Sequence, residues 1–174
     1  LFKDGLKQLA NALIHKKHPF RYFTLTTVSL DGSPHSRTVV LRGFDSKKFT
    51  FSIYTDSRSE KIKELDNDQR AEFLFYDSNQ LLQVTVKASL IDRKVSKVKF
   101  ENLPEPSKRD YSSIQQPGAA VKAPDSVQYN YNKGHFVELQ FQASEIEYLK
   151  LKRPNHLRAR FYADRTWQGE FLAP

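Results

Sequence analysis

The sequence contains no cysteine, no methionine and a single tryptophan in 174 residues. Without cysteine, the protein can form neither a disulfide nor a thiolate metal site. No apolar run approaches the roughly 20 residues that a transmembrane helix needs, and no charged-then-apolar signal segment opens the chain. We therefore expect a cytoplasmic protein without a membrane partner.

Several patterns typical of enzymes and cofactor sites are also missing. The chain has no Gly-x-Ser-x-Gly nucleophile motif, no Walker phosphate loop and no Gly-x-Gly-x-x-Gly dinucleotide motif. Its five histidines do not follow a metal-ligand spacing, and the neighbouring pair His15 and His18 lacks partner carboxylates. We expect no metal site.

What the sequence does contain is an excess of positive charge and many aromatic residues. Its 28 Lys and Arg against 20 Asp and Glu give a net charge of +8, and 13 Phe and 8 Tyr can fill the core of one domain over residues 1–174. A basic protein suits nucleic acid, an anionic membrane or a phosphorylated small molecule. Because the cations are spread along the chain, nucleic acid is disfavoured as a partner, but a basic nucleic-acid-binding β-domain stays an alternative.

The hydrophobic periodicity predicts a mainly β fold of the α+β type. Helices are expected at 3–17, 59–68 and 94–102, and strands at 21–30, 35–44, 49–54, 70–76, 81–91, 136–141, 146–151, 158–162 and 167–172. Asp31-Gly32 is a hairpin turn signal, so the first three strands are expected to form an antiparallel meander. The proline-interrupted segment 103–133 is expected to be a long functional or mobile loop. The pattern indicates an antiparallel barrel or sheet with peripheral helices.

The second predicted strand carries an arginine at each end of an apolar run, Arg37 to Arg42. Because side chains alternate along a strand, one face presents Arg37, Val39 and Leu41, and the other presents Thr38, Val40 and Arg42. Two arginines on opposite faces of a core strand are costly unless each meets an anion or reaches water. Either both lie at strand ends in solvent, or they contact an anionic ligand.

A hydroxyl-rich turn, Tyr54 to Lys61, precedes the second predicted helix. Hydroxyls, cations and backbone N–H groups near a helix start are what a phosphate monoester requires. Candidate phosphate contacts are Thr55, Arg58, Ser59 and Lys61, although Glu60 would repel a phosphate. The alternative is an ordinary capped helix start.

The densest basic segment lies near the end of the chain, at residues 150–160. On a strand, His156, Arg158 and Arg160 would share one face. Such a trio suits an anionic substrate or the pyrimidine edge of a flavin. The alternative is a solvated edge strand whose charges prevent aggregation.

These segments, in this order, resemble the pyridoxamine phosphate oxidase superfamily of FMN-binding split β-barrels. The resemblance implies a homodimer with two FMN sites across its interface. It places the Arg37–Arg42 strand along the flavin, with Arg37 on the phosphate side, and matches Tyr54, Thr55 and Lys61 to the phosphate-binding turn. It also matches Gln83 to a glutamine that contacts the cofactor, and Arg160 to the cation near the isoalloxazine.

The chain departs from the oxidases of that family at several substrate positions. Arg42 stands where they usually carry lysine, Glu60 stands where they carry arginine, and the substrate-gripping arginine and histidine near the C-terminus are exchanged. We therefore expect an FMN-dependent oxidoreductase of the oxidase-like branch that acts on a small anionic substrate, with the vitamin B6 phosphates left open but not favoured. The substrate-side candidates are Arg42, Arg109, His156 and Arg158. A flavin-binding carrier or sensor without turnover is the alternative within the same fold.

Overall fold

The computed structural model describes residues 1–173. Its helices are α1 (Phe2–Ile14), α2 (Glu60–Asn67), α3 (Lys97–Glu101) and α4 (Glu105–Arg109). Helix α1 ends earlier than the predicted residue 17, since residues 15–17 offer no apolar side chain and Pro19 disfavours helical backbone at the residue before it. Among the helices of residues 1–173, none is both long and apolar enough to cross a bilayer.

In the described residues 1–173, nine antiparallel strands form one sheet. They are β1 (Tyr22–Val28), β2 (Pro34–Val40), β3 (Gly43–Asp45), β4 (Thr50–Asp56), β5 (Arg70–Asp77), β6 (Leu82–Lys94), β7 (Phe136–Lys150), β8 (Leu157–Tyr162) and β9 (Gln168–Phe171). Seven of them pair in the order β2-β1-β5-β6-β7-β4-β3, and β8 pairs with β7 and β9. The predicted mainly β, antiparallel architecture is therefore present.

The predicted meander of the first three strands is present, but the predicted strand 35–44 is divided into β2 and β3. β2 pairs with β1, and β3 pairs with β4, which also pairs with β7. The chain leaves β2 because Leu41 is fully buried in the core, and the Arg42 amide donates to the Ser52 carbonyl at 2.9 Å. Residues 35–44 thus belong to both terminal strands of this order, β2 at one end and β3 at the other. Because only Leu41 and Arg42 separate β2 from β3, the sheet must curl so that its ends approach each other.

The two strands predicted at 136–141 and 146–151 are a single strand, β7. The polar stretch Gln142–Glu145 resembles a turn in sequence, but Ala143 is buried and pairs with Ala88 of β6. β6 pairs with β7 from Glu138 to Lys150, with a register shift at Ser144. The first half of β7 also pairs with β4, and its second half pairs with β8. Pairing on both sides keeps the backbone of this polar stretch extended.

Aromatic side chains fill the interior of the barrel. The largest fully buried side chains include five phenylalanines, Phe20, Phe51, Phe73, Phe75 and Phe141. Burial alternates along β5, where Ala71, Phe73 and Phe75 face inward and the residues between them face out. Each buried phenylalanine stabilises the fold by about 1.5–3 kcal/mol relative to exposure.

The long segment 103–133 has more structure than a featureless loop. It contains α4 and an isolated bridge between Ser113 and Tyr129. Tyr111 is buried in a small second cluster with Phe100 and Phe136, and Tyr54 of β4 packs against this cluster. These contacts hold the segment against the outer end of β4.

Candidate functional site

One pocket of about 290 Å³ lies where β2, β4, the start of α2 and the long loop meet. Eight of the residues predicted for cofactor binding line it, namely Thr38, Val39, Val40, Arg42, Tyr54, Thr55, Ser59 and Lys61. Leu41 does not, since it points into the core. The Arg37–Arg42 strand and the Tyr54–Lys61 turn, which are separate in sequence, therefore form adjoining walls.

Lys61 is the principal cation of this pocket. Its ammonium group donates to the Thr55 and Ser59 hydroxyls at 3.0 and 3.2 Å. Burial lowers the pKa of Lys61, and the nearby charge of Arg37 lowers it further. Within residues 1–173 no carboxylate oxygen lies within 4.0 Å of the ammonium nitrogen. A partly dehydrated cation without a carboxylate partner is ready to pair with an anion.

Arg37 lies behind Lys61 and is already paired. Its guanidinium donates to Glu64 at 2.6 Å and to the Thr27 hydroxyl. Glu64, buried on α2, also accepts from Thr27 and bonds the His35 ring nitrogen, each at 2.5 Å. Burial opposes ionisation of Glu64, but the bonds from Thr27, His35 and Arg37 hold its pKa below the ordinary value.

Sequence reasoning missed Glu64, although one signal was available. Glu64 lies three residues after Lys61 on the same helix, so both project from one face of α2 toward β2. Donor atoms of His35, Glu60 and Glu64 lie within 4.8 Å of one another, a spacing that a metal ion could bridge. Because both oxygens of Glu64 already have hydrogen-bond partners, we interpret this cluster as a hydrogen-bond network.

Arg42 and two tyrosines form the opposite side of the pocket. The Arg42 guanidinium lies 5.4 Å from the centroid of the Tyr54 ring. Burial raises the pKa of the Tyr111 hydroxyl, and the charge of Arg42 partly opposes this. An aromatic wall with a cation above it suits a flat, electron-poor ring.

The long loop supplies lining residues that the sequence did not identify. Asp110, Tyr111 and Pro117 line the pocket, whereas the predicted Arg109 does not and stacks instead on Tyr129, 4.4 Å from its ring centroid. Arg58 also lies outside the lining, and its guanidinium bonds Asp56 and two carbonyls of the loop. The prolines of the segment predict a loop, but they do not predict where it docks.

The other predicted residues lie on the outward face of the sheet, far from the pocket in the same chain. Successive cross-strand partners form one row on this face: Thr38, Thr24, Leu74, Thr85, Glu147 and Arg160. The row crosses five strand spacings, so the path along the sheet from Thr38 to Arg160 is roughly 24 Å. Gln83 shares this face, since it is two residues from Thr85 on β6.

The two arginines of β8 share one acceptor. Arg158 donates to Glu147 at 2.9 Å, and Arg160 donates to the other oxygen of Glu147 at 2.9 and 3.1 Å. Burial opposes ionisation of Glu147, but the two arginines hold its pKa below the ordinary value. His156 is exposed just before β8, and its Nδ1 accepts from the Lys152 amide at 3.1 Å.

Comparison with known proteins identifies the family. Residues 2–91 match the model of the pyridoxamine 5'-phosphate oxidase FMN-binding domain, and the chain belongs to this family. A pyridoxine/pyridoxamine 5'-phosphate oxidase of Hydrogenovibrio crunogenus is 35% identical over 101 residues, which are 56% of this chain. The matched region spans 46% of the length of that oxidase, so the chain covers about half of this relative.

Solved structures confirm the split-barrel fold. An FMN-binding protein of Nostoc punctiforme, related to pyridoxamine 5'-phosphate oxidase, superposes with a TM-score of 0.77 at 21% identity, over 99% of this chain and 97% of the other. PhzG of Burkholderia lata, in complex with tetrahydrophenazine-1-carboxylic acid, gives 0.76 at 18% identity, over 99% and 92%. The fold class expected from the sequence is confirmed.

Proposed function

We propose that the protein binds FMN, with the phosphate in the pocket between β2, β4 and α2. The observation that carries this proposal is Lys61, a partly dehydrated cation without a carboxylate partner that is held by the hydroxyls of Thr55 and Ser59. A phosphate dianion can replace these weak acceptors and pair with the ammonium group. Family membership supports the same cofactor.

The residues present fit the rest of the cofactor as well. Val39 and Val40 offer an apolar strand for the flat ring system, and Tyr54 with Arg42 offers a face against which it can lie. Bound FMN would supply two-electron hydride chemistry. The chain itself would hold the phosphate with Lys61, orient the ring along β2 and keep water out with the loop residue Tyr111.

We propose that the functional unit is a homodimer whose sites combine both chains. Thr38 and Arg160 lie at opposite ends of one row on the outward face, and that face exposes Tyr22, Leu74 and Tyr76. A second copy related by a two-fold axis would place its Arg160 end over the first copy's pocket, and the reverse. Gln83 and Arg160 would then reach the FMN of the partner subunit.

The proposed activity is an oxidoreductase reaction on a small anionic substrate. Arg42 in the pocket and Arg109 beside it supply positive charge, and His156 and Arg158 would approach from the partner subunit. PhzG, which shares the fold, binds a carboxylic acid. A carrier or sensor without turnover is the second candidate, because Glu147 already compensates the charge of both β8 arginines.

Absorbance spectroscopy of the purified protein tests the cofactor, and titration of the apoprotein with FMN and with riboflavin tests the phosphate. We expect a flavin spectrum and much tighter binding of FMN than of riboflavin. A colourless protein that does not bind FMN at high micromolar concentration would contradict the proposal.

Anaerobic mixing with candidate carboxylates and amines separates the oxidoreductase from the carrier or sensor, since a carrier would leave the flavin oxidised. Sedimentation velocity tests the dimer.

A further inference from the structure

Arg58 joins the phosphate turn to the long loop. Its guanidinium holds Asp56 through two bonds of 3.0 and 2.7 Å, and it donates to the Ser113 and Ile114 carbonyls at 2.8 and 3.1 Å. Asp56 is buried, and the Arg58 side chain is 22% exposed. With these partners four of the five guanidinium N–H donors are engaged, and Arg58 is not among the residues that line the pocket.

The segment 110–117 that Arg58 anchors forms one wall of the pocket. Its other backbone bonds connect it to the rest of the loop and to the residues before β7: Ile114 N donates to Gln128 O, Asn130 N to Ser112 O, and His135 N to Tyr111 O. Between residues 55–61 and 113–117 of the described chain, the only hydrogen bonds are those of Arg58. Arg58 therefore supplies the direct hydrogen bonds between this part of the loop and the phosphate turn, beside the packing of Tyr111 against Tyr54 and Phe136.

We propose that Arg58 is a positioning residue that anchors the 110–117 segment over the pocket and thereby sets how fast FMN enters and leaves. This inference rests on the proposed FMN function and replaces the role expected for Arg58 in sequence, that of a phosphate contact. A phosphate contact stabilises only the bound state. An anchor lowers the entry rate and the exit rate together, so it changes the dissociation constant much less than the rates.

The chain contains a matched control for this role. Arg70 chelates Asp68, two residues earlier, with the same pattern of one backbone and several guanidinium bonds as Arg58 and Asp56. The Arg70 side chain is 78% exposed, and its hydrogen bonds go to Asp68. A variant at Arg70 loses the same local chelate without any loop contact.

The test compares Arg58→Lys, Arg70→Lys and the wild type. We expect Arg58→Lys to raise both the association and the dissociation rate of FMN roughly tenfold, since one amine cannot replace bonds to a carboxylate and two carbonyls. The dissociation constant should change less than about threefold, and Arg70→Lys should leave all rates unchanged. Stopped-flow flavin fluorescence measures the rates.

Hydrogen–deuterium exchange of the apoprotein provides a readout that does not depend on FMN. Arg58→Lys should raise exchange at the Ile114 amide and leave core strand amides protected. If the variant is poorly folded, Asp56→Asn with Arg58→Gln keeps a neutral local pair and still removes the anchor. Unchanged loop exchange, or weaker FMN binding through faster release alone, would overturn the proposal. If Arg58→Lys speeds loop exchange but neither wild type nor variant binds FMN, Arg58 still anchors the loop and the proposed FMN function is wrong.

Discussion

Two buried glutamates, one on α2 and one on β7, each pair with two basic side chains. Glu64 on α2 pairs with Arg37 and His35, and Glu147 on β7 pairs with Arg158 and Arg160. The side chains of both carboxylates are at most 10% exposed, and their partners hold both pKa values low. By these measures the two sites are alike.

The two sites differ in whether a nearby cation remains without a carboxylate partner. Beside Glu64, the ammonium group of Lys61 has only hydroxyl partners. Beside Glu147, both β8 arginines are bonded to a carboxylate, and Arg160 also lies 3.3 Å from Glu145. A dense run of cations in sequence therefore need not be a free anion site. In a single chain, an added anion should bind first at the Lys61 end.

The largest effect that this comparison predicts is the loss of phosphate binding in Lys61→Ala. We expect FMN to bind about 1.5–3 kcal/mol more weakly, the range for one hydrogen bond to a charged group, while riboflavin binding stays unchanged. Isothermal titration calorimetry with both ligands measures this difference. Lys63→Ala is the control, because Lys63 is exposed on the same helix and does not line the pocket.

Equal loss of FMN and riboflavin affinity in Lys61→Ala would contradict the view that Lys61 binds the phosphate. In that case the variant would have disturbed the pocket as a whole. If Arg158→Ala reduced FMN affinity more than Lys61→Ala does, the phosphate would not bind at the Lys61 end.

Much of the pocket could be predicted from the sequence, because its residues lie in two short local patterns. The alternation of β2 and the hydroxyl-rich turn are each contained within eight residues, so their chemistry is visible without the fold. The partners of the arginines were not predictable in this way. Glu64 is 27 residues from Arg37 and the Ser113 carbonyl is 55 residues from Arg58. Such pairings depend on tertiary packing, as does the burial of Leu41 that separates β2 from β3.

A smaller effect is expected on stability when Glu64 is changed to glutamine. Glutamine keeps one acceptor oxygen but leaves the half-buried Arg37 without a counter-charge, at a cost of about 1–2 kcal/mol at pH 7. Because folding lowers the pKa of Glu64, its contribution is present above the ordinary value of 4.5 and disappears as the pH falls through the folded-state pKa. Wild type and variant should therefore converge in acid.

Urea unfolding at pH 7 and at pH 3 measures this convergence. Glu60→Gln is the matched control, one turn earlier on α2 and exposed, and it should change stability little at either pH. A constant difference between wild type and Glu64→Gln across this range would mean that the carboxylate charge is not what stabilises Arg37.

The smallest effect should come from Arg158→Ala. Arg160 would still bond Glu147 through Nε and one terminal nitrogen, so the buried carboxylate keeps a cation. We expect a loss of only about 0.5–1 kcal/mol in unfolding free energy, as for a partly exposed ion pair, and FMN affinity within about twofold of wild type. Thermal unfolding and FMN titration of the same samples measure both quantities. Loss of flavin reduction by an anionic substrate in Arg158→Ala, with stability and FMN affinity kept, would support the substrate-side role proposed for Arg158. In that case Arg158 would contact the substrate although Glu147 already compensates its charge.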